Sequence, residues 1–435
     1  MGEMMDPKQI YAAKLTTPDN AVKAIASGSH LAMGMVVAEP PALLAALARR
    51  VEAGDLSDIQ VWYLLSQAHA GATILQRELL GRVRPRCMFI GGVERAMIKA
   101  DPAARALIEF VPTSFSGSPR LLRDEIALDA CVLTVSPMDE NGYFSFGAAN
   151  DYTSAAAHCA RTVIVEVNPA MPRVACSTPL HVSQVTAVVE NAAPLLSFGE
   201  AASSPEDEVI ATLIADMIDD RACLQMGIGN LPAAVCRRIG NRRDLGIHTE
   251  LLTPSLAGLA QSGAVTNRAK TTHRDISVFA FAMGDAPFYE WLNANPAVYS
   301  MPVDVVNNAA EIARNDNVVS VNATIQVDLQ GACNSEFMGG QQFSAAGGQL
   351  DFVRGANLSK GGVSIIACRS TAKGGTVSRI VPKLEGPVTT PRNDVHWIVT
   401  EHGAANLRGK SLAERAELMI GLADPKFRDE LARGL

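Results

Sequence analysis

The clearest candidate for covalent chemistry is Glu250, which lies among apolar residues near the end of a predicted strand, Leu245–Leu251. A carboxylate is ionised at pH 7, so it can attack an activated acyl group without a general base. The same pattern is typical of a glutamate that caps a helix or forms an ion pair. His248 lies on the same face of that strand, and its position favours a structural histidine over a polar pocket wall.

A glycine-rich turn at residues 227–230 (Gly-Ile-Gly-Asn) is the second candidate. It follows a predicted strand, Ala222–Met226, and precedes a helix predicted to begin near Pro232. Glycines let a ligand approach the backbone, and a helix start offers N–H groups with a partial positive charge, which suits a phosphate. A dinucleotide fingerprint is excluded because its third glycine would fall on Pro232. An ordinary strand-to-helix turn explains the pattern equally well.

Glycine pairs recur between residues 339 and 375, and each offers closely spaced N–H donors that can stabilise an oxyanion. They are Gly339-Gly340, Gly347-Gly348, Gly361-Gly362 and Gly374-Gly375. Any one of them is also typical of a β-turn. Other searches are negative: the sequence has no Gly-x-Ser-x-Gly elbow, no His-x-x-x-His and no Cys-x-x-Cys, so neither a serine nucleophile nor a metal site is predicted. The adjacent His158 and Cys159 are interpreted as structural.

Short apolar runs alternate with helical patterns along the chain, which predicts an α/β protein with mostly parallel sheets. Strands are predicted at His30–Met35, Ile59–Leu64, Ala130–Val135 and Thr162–Val167, and a helix at Pro41–Ala53. The turn-rich stretch 191–204 is predicted to link a domain over residues 1–190 to a domain over residues 205–435. The second domain opens on a helix capped by Ser204, with Pro205 at its first position.

The chain has 435 residues, of which 48% are hydrophobic and 19% charged, so a sizeable core is expected. Its formal net charge of −7 argues against a nucleic-acid binder with a broadly basic surface, but not against an anion held locally by backbone N–H groups. The eight cysteines are expected to be reduced and mostly buried. The N-terminus lacks a secretory pattern and no apolar run is long enough for a membrane span, so a cytoplasmic location is expected.

Several long motifs, in order along nearly the whole chain, resemble those of the acetyl-CoA hydrolase/CoA-transferase family. In the first half they are residues 136–139, 142–143 and 166–173; in the second half they are residues 224–235, 245–250, 344–356, 378–382, 388–395, 400–403 and 407–412. The sequence departs from the family pattern at residues 220–222 (Asp-Arg-Ala) and 253–255 (Thr-Pro-Ser), which border the acyl pocket and bear on substrate identity.

The resemblance implies two tandem α/β domains of the CoA-transferase type, with the active site at their interface. It implies that Glu250 attacks an acyl-CoA, and that a mixed anhydride and then a glutamyl–CoA thioester form by a ping-pong mechanism. The residues it assigns to catalysis are Glu250, Gly347, Gly348, Glu401 and Asn307, with the two glycines as oxyanion donors. Those it assigns to CoA are Gly227, Ile228, Gly229, Asn230, Leu231 and Gly348, while Lys373 is either a phosphate ligand or a solvated loop lysine.

The expected reaction moves CoA from succinyl-CoA or acetyl-CoA to a small carboxylate, with itaconate or 4-hydroxybutyrate favoured. An acyl-CoA hydrolase that uses the same intermediate is the alternative, and a non-enzymatic CoA-binding protein is a third hypothesis, against which the presence of Glu250 counts. CoA enters as a substrate, and no permanently bound cofactor, metal, nucleic acid or membrane partner is expected. Assembly as a homodimer or homotetramer follows from the resemblance.

Overall fold

The structure is a computed structural model that describes residues 6–199 and 202–433. The described residues form two compact units. The first contains the residues up to Phe198 together with Ala280–Asp304, and the second contains Gly199 to Phe279 together with the residues from Val305 onward. The predicted boundary at 191–204, of which residues 200 and 201 lie outside the described part, falls beside the first crossing. No local pattern in the sequence indicates that Ala280–Asp304 belongs to the first unit.

Among the residues described from position 6 to the first crossing between the units, there are ten strands. They are β1 His30–Met33, β2 Ile59–Leu64, β3 Val83–Phe89, β4 Glu109–Phe110, β5 Ala130–Val135, β6 Tyr143–Phe144, β7 Thr162–Val167, β8 Ala175–Cys176, β9 Leu180–His181 and β10 Ala187–Glu190. The helices of this stretch are α1 Pro7–Lys14, α2 Pro18–Ala21, α3 Pro41–Glu52, α4 Ala68–Gly71, α5 Gly92–Ala100, α6 Ser118–Arg120 and α7 Thr153–Cys159.

Fifteen strands follow in the described part of the remaining chain. They are β11 Cys223–Met226, β12 Gly246–Leu252, β13 Ser277–Ala282, β14 Val298–Ser300, β15 Val318–Ala323, β16 Gln326–Asp328, β17 Cys333–Asn334, β18 Phe337–Met338, β19 Gln341–Gln342, β20 Val363–Ala367, β21 Thr371–Ala372, β22 Val377–Ser378, β23 Ile380–Val381, β24 Trp397–Thr400 and β25 Gly403–Asn406. The helices are α8 Pro205–Ala215, α9 Asn230–Arg238, α10 Pro254–Gln261, α11 Ala286–Leu292, α12 Val303–Val306, α13 Ala309–Ala313, α14 Gln349–Leu358, α15 Leu412–Leu422 and α16 Pro425–Ala432.

The first unit is built on a parallel sheet in the order β10-β7-β5-β1-β2-β3-β4. Its interior strand β5 is buried along its whole length, as expected for a strand covered on both faces. Apolar residues of α3, among them Leu43, Leu44 and Leu47, belong to the core beside this sheet. The residues Ala280–Asp304 also contribute to this unit, since Asn150 bonds the backbone of Ala280 and the side chain of Ser300.

The second unit contains the strand order β25-β24-β20-β15-β11-β12, in which only the β24–β25 pair is antiparallel. The chain runs from β11 to β12 on one side and later adds β15 on the other side, so the strand order reverses between β11 and β15. Ligands of open α/β sheets bind at the carboxyl ends of the strands that flank such a reversal. The ends of β11, β12 and β15 are therefore the expected place for a ligand site.

The prediction of α/β architecture with mostly parallel sheets is confirmed by both strand orders. Strands β2, β5 and β7 have the predicted bounds, whereas β1 ends at Met33, two residues before its predicted end. Ser204 caps α8 as predicted, and its side chain accepts a hydrogen bond from Asp207 N. The helix predicted near Pro232 begins at Asn230, one residue after Gly229. All eight cysteines are free, and six of them are buried.

Candidate functional site

Glu250 lies on β12, and its carboxylate meets a side chain that is distant in sequence. The amide nitrogen Nδ2 of Asn307 donates a 2.5 Å hydrogen bond to Glu250 Oε2. Asn307 follows α12 directly and is 1% exposed, so its amide is held inside the unit. An amide donor on one oxygen fixes the plane of the carboxylate and stabilises its negative charge. The structure thus brings together two residues that the sequence resemblance assigned to one site.

Gly348 lies against the side chains of both Glu250 and Asn307. An ideal Cβ built at Gly348 would overlap both Glu250 Oε2 and Asn307 Nδ2, so no other residue fits there without moving them. Gly348 is also the N-cap of α14, and Gly347 before it has a φ of +56°, which glycine adopts freely. The first N–H groups of a helix have no acceptor within it and carry a partial positive charge. The carboxylate of Glu250 therefore lies at a positive helix end.

These three residues form a constellation suited to acyl chemistry. A carboxylate oriented by an amide and placed at a helix start can attack a carbonyl carbon, and the donors around it can take up the charge of a tetrahedral intermediate. The acceptor oxygen Asn307 Oδ1 is buried and has no hydrogen-bond partner among the described residues.

Thr253, where the sequence departs from the family pattern, caps α10 by accepting a hydrogen bond from Leu256 N.

Glu401 is held through a different part of the second unit. Its two carboxylate oxygens accept hydrogen bonds from Ser370, one from the backbone N–H at 2.8 Å and one from the hydroxyl at 2.6 Å. Ser370 is fully buried and follows β20, whereas Glu401 lies in the turn between β24 and β25. These bonds fix Glu401 at the carboxyl ends of two neighbouring parallel strands. Its role as an auxiliary pocket residue stays a prediction.

The glycine-rich turn lies where the strand order reverses, directly after β11. Gly227 N donates to Val321 O on β15 at 2.8 Å, and a Cβ at Gly227 would come within 3.2 Å of that carbonyl. Beneath the turn, three buried side chains bond one another: Ser320 Oγ and Asn322 Nδ2 both donate to Gln225 Oε1, at 2.6 and 3.1 Å. This polar network, which the sequence pattern did not reveal, ties the ends of β11 and β15 together.

The predicted CoA-binding residues differ in exposure. Ile228 is 53% exposed, unusual for an isoleucine, and Gly229 has a φ of +119° that leads into α9. Asn230 bonds the carbonyl of Ala202 through Nδ2, while Leu231 is buried. An exposed apolar residue beside helix N–H groups suits a ligand with apolar and anionic parts. Lys373 is exposed in the hairpin between β21 and β22.

The structure separates the four glycine pairs. Both residues of Gly339-Gly340 and of Gly374-Gly375 have positive φ. Gly339-Gly340 forms the two-residue turn of the hairpin β18–β19, and Gly374-Gly375 lies at the centre of the four-residue turn of the hairpin β21–β22. Gly361-Gly362 lies in the turn that precedes β20. Among these four pairs, only Gly347-Gly348 has a glycine, Gly348, at which an added Cβ would meet a carboxylate, that of Glu250. The turn interpretation thus fits three pairs, and the oxyanion interpretation remains for one.

Comparison with known proteins places the sequence in a family. A family model described as the acetyl-CoA hydrolase/transferase N-terminal domain matches residues 1–198, and the corresponding C-terminal model matches residues 284–435. The chain is 40% identical to succinyl-CoA:cyclohexane-1-carboxylate CoA transferase of Geobacter metallireducens, over 97% of this chain and 94% of the relative. This protein belongs to the acetyl-CoA hydrolase/transferase family.

Other members of the acetyl-CoA hydrolase/transferase family support the same assignment. The 4-hydroxybutyrate coenzyme A transferase of Clostridium kluyveri is 39% identical over 98% of each chain. A crystal structure of RipA from Yersinia pestis is 55% identical and superposes with a TM-score of 0.96, covering 99% of this chain and 98% of that one. Within this family, the present chain is an enzyme that transfers CoA.

Two negative findings concern the described residues of this family member. In residues 6–199 and 202–433, no three His, Cys, Asp or Glu side chains gather as ligands for a metal ion. None of the helices in the same part of the chain combines the length and apolarity that a membrane span requires.

Proposed function

We propose that this enzyme transfers CoA from an acyl-CoA to a small carboxylate by way of a covalent intermediate on Glu250. The observation that carries the proposal is the convergence of Glu250, Asn307 and Gly348 at the start of α14. A glutamate that served only as a helix cap or an ion-pair partner would not require glycine at the position facing it. Here a Cβ on the facing residue would overlap the carboxylate, so glycine at position 348 lets the start of α14 approach Glu250 closely.

The reaction proceeds in balanced steps. Glu250 attacks the thioester carbonyl, the C–S bond breaks, and a mixed anhydride and a CoA thiolate result. The thiolate attacks the glutamyl carbonyl of the anhydride, which releases the first carboxylate and leaves a glutamyl–CoA thioester. The incoming carboxylate then attacks this thioester, and the thiolate returns to the new acyl group, which regenerates Glu250. One thioester is exchanged for another, so no ATP is consumed.

Each tetrahedral intermediate in this sequence carries an oxyanion that needs preorganised donors. The N–H groups at the start of α14, beside Gly347 and Gly348, are the proposed donors for one of them. Asn307 Nδ2 already donates to Glu250 Oε2, the oxygen that gains charge when the thiolate attacks the glutamyl carbonyl. Removing one such donor from an enzyme costs about 100- to 1,000-fold in kcat.

The turn at residues 227–231 is the proposed CoA contact, because it combines a helix N-terminus with the exposed Ile228 at the reversal of strand order. Succinyl-CoA or acetyl-CoA is the proposed donor, and 4-hydroxybutyrate or itaconate the proposed acceptor. One relative is named for succinyl-CoA and another for 4-hydroxybutyrate, which supports part of this choice. Itaconate rests on the sequence resemblance alone.

The decisive experiment traps the thioester on Glu250. Wild-type enzyme is incubated with acyl-CoA alone, treated with borohydride and assayed, and the modified peptide is identified by mass spectrometry. Borohydride is expected to inactivate the enzyme only after acyl-CoA has been added, with reduction at Glu250. The variant Glu250→Ala is expected to lose transfer entirely. Full activity in that variant, or inactivation that does not depend on acyl-CoA, would contradict the covalent mechanism.

Hydrolysis is the alternative fate of the same intermediate, and it is separated by measuring the release of free CoA. With acyl-CoA alone a transferase stops after one turnover, whereas a hydrolase continues to release CoA. A matrix of itaconate, succinate, 4-hydroxybutyrate, acetate and butyrate against succinyl-CoA and acetyl-CoA then ranks the acceptors. The acyl pocket at a domain interface, the cytoplasmic location and the assembly as a homodimer or homotetramer stay predictions.

A further inference from the structure

We propose that His248 is a positioning residue that holds Asn307 and the start of α14 in register with Glu250. The inference rests on the proposed function of Glu250 and adds a residue that the sequence favoured as merely structural. It comes from two contacts of one imidazole, made with two different segments of the second unit. Both segments carry a member of the candidate site.

The first contact is a hydrogen bond to the segment of Asn307. His248 Nε2 lies 2.8 Å from the carbonyl oxygen of Val306, the residue that immediately precedes Asn307. A carbonyl oxygen only accepts, so Nε2 carries the hydrogen and donates. His248 and Glu250 are two residues apart on β12 and so lie on one face of the strand. Glu250 reaches the Asn307 side chain while His248 holds the backbone next to it.

The second contact is with α14. The ring of His248 meets the ring of Phe352 edge to face, with centroids 6.3 Å apart. Phe352 lies in the first turn of α14, and its N–H donates to the carbonyl of Gly348. Packing against Phe352 therefore sets how closely the helix start approaches β12. Through these contacts the His248 side chain sets the distances between three segments: β12, residues 306–307 and the start of α14.

The other ring nitrogen indicates why a histidine is kept here. His248 is 3% exposed, and its Nδ1 is buried without a hydrogen-bond partner among the described residues. A buried polar atom without a partner costs free energy, which an apolar ring would avoid. The Nε2–H donor is the property that an apolar ring lacks. We therefore attribute the histidine to its bond with Val306.

His248 is distinguished from a general base by its surroundings. Burial, with the nearby charge of Lys270 as a smaller cause, lowers the pKa of His248 to about 3, so the imidazole is neutral in the working range of pH. One ring nitrogen is occupied by Val306 and the other is enclosed in the protein, so neither is placed to exchange a proton with a substrate. Its action runs through Asn307 and α14.

The test uses paired substitutions that separate the donor from the ring. His248→Gln keeps an amide N–H at a reach similar to that of Nε2, whereas His248→Phe keeps the ring and loses the donor. His248→Asn keeps an amide but shortens it by one methylene group, so that it falls short of Val306. The matched control is His396→Phe, since His396 is also a buried histidine of the second unit with an unpaired Nδ1.

The measurements are kcat, the KM for acyl-CoA, the thermal midpoint, and borohydride trapping at Glu250. We expect His248→Phe and His248→Asn to lower kcat by about 10- to 100-fold with KM within about threefold, as a small misplacement of reacting groups does. His248→Gln should retain kcat within about fivefold, and His396→Phe should retain it fully. If His248→Phe does not fold, the comparison of His248→Asn with His248→Gln decides.

Several results would contradict a positioning role for His248. Wild-type kcat in a folded His248→Phe or His248→Asn, equal losses in the Gln and Asn variants, or a loss confined to KM would overturn the positioning role. Absence of acyl-CoA-dependent trapping at Glu250 in the wild-type enzyme would instead overturn the proposed function. A trapped wild-type intermediate together with unaffected His248 variants would contradict only the inference about His248.

Discussion

The amide of Asn307 and the carboxylate of Glu250 are hydrogen-bonded at 2.5 Å although 57 residues separate them in sequence. Glu250 comes from a strand, whereas Asn307 follows a short helix, so the pair depends on the tertiary fold rather than on local structure. Gly348 lies against the same two side chains. The site therefore consists of three chain segments, and small changes in the distances between them would disturb it. Substitutions at these positions therefore give sharp predictions.

Replacing Asn307 tests the amide donor. Asn307→Ala should lower kcat by about 100-fold, because the carboxylate loses its orienting bond and a proposed oxyanion donor. Asn307→Asp is nearly isosteric but places a second carboxylate beside Glu250, and the two then share one proton. We expect its activity, relative to that of the wild-type enzyme, to decline as pH rises from 5 to 8. The kcat–pH profiles of both variants provide the measurement, and a flat ratio for Asn307→Asp would contradict the contact.

Gly348→Ala tests the close approach of α14. The added methyl group would overlap Glu250 Oε2 and Asn307 Nδ2, so kcat should fall by at least about 100-fold. Gly258→Ala is the matched control, since Gly258 lies within α10 and its added Cβ would meet no atom within 4 Å. The control should retain activity and gain about 0.5–1 kcal/mol of stability, as alanine does in a helix. Equal activity of the two variants in steady-state assays would count against the model of the site.

Gly229→Ala tests the assignment of the turn to CoA. Nothing lies within 4 Å of a Cβ at Gly229, so the substitution acts only through its φ of +119°, which alanine avoids. We expect the KM for acyl-CoA to rise about tenfold while kcat at saturation changes little. Gly240→Ala, at an exposed glycine of the same unit whose added Cβ would also meet nothing within 4 Å, should leave both constants unchanged. An unaltered KM in Gly229→Ala would argue for another CoA contact.

Lys270 predicts a pH dependence of stability. Its side chain is 2% exposed, and Nζ donates to the carbonyls of Ile247 and Ile276 at 2.9 and 2.7 Å. Burial lowers the pKa of Lys270 to about 8 from its usual 10.5. Between these values the unfolded chain binds the proton that the folded chain has released, so this group makes stability rise with pH. The rise is on the order of 2–3 kcal/mol, at about 1.4 kcal/mol per pKa unit.

The measurement for Lys270 is the free energy of unfolding in urea at pH 7.5 and pH 10. Because cysteine and tyrosine residues also titrate in this range, the prediction concerns the difference between the wild-type protein and Lys270→Met. That difference should shift in favour of the wild type at the higher pH. Lys360→Met, at an exposed lysine of the same unit, should show no such shift. An identical pH dependence in wild type and Lys270→Met would refute the lowered pKa of Lys270.

The sequence predicted those parts of the fold that depend on local pattern. Strands β2, β5 and β7 were found to the residue because each is a short apolar run bounded by turn residues, and Ser204 was identified because Ser-Pro followed by acidic residues is a strong helix start. Glu250 could be named as a nucleophile from its residue type. Its assignment to catalysis over a structural role depended on the family resemblance, since a lone glutamate at a strand end has several common uses.

The remaining features depend on contacts that no local pattern encodes. The polar network of Gln225, Ser320 and Asn322 joins two strands that are far apart in sequence, and each of these residues taken alone is unremarkable. His248 was favoured as structural because its partner, the carbonyl of Val306, belongs to the backbone and leaves no trace in residue types. The pair Gly347-Gly348 differs from the hairpin glycines in one respect, which only the structure shows. A Cβ added at Gly348 would overlap the side chains of Glu250 and Asn307.

The passage of Ala280–Asp304 into the first unit has a consequence for synthesis on the ribosome. Asn150 needs the backbone of Ala280 and the hydroxyl of Ser300, and β8 needs β14 as its partner. These partners emerge only after much of the second unit has been translated, a delay of about 5–20 s at ordinary elongation rates. The N-terminal unit therefore cannot complete these contacts until the first segment of the second unit, which ends at Phe279, and then Ala280–Asp304 have been made. A nascent chain arrested near residue 204 would leave Asn150 and β8 without these partners.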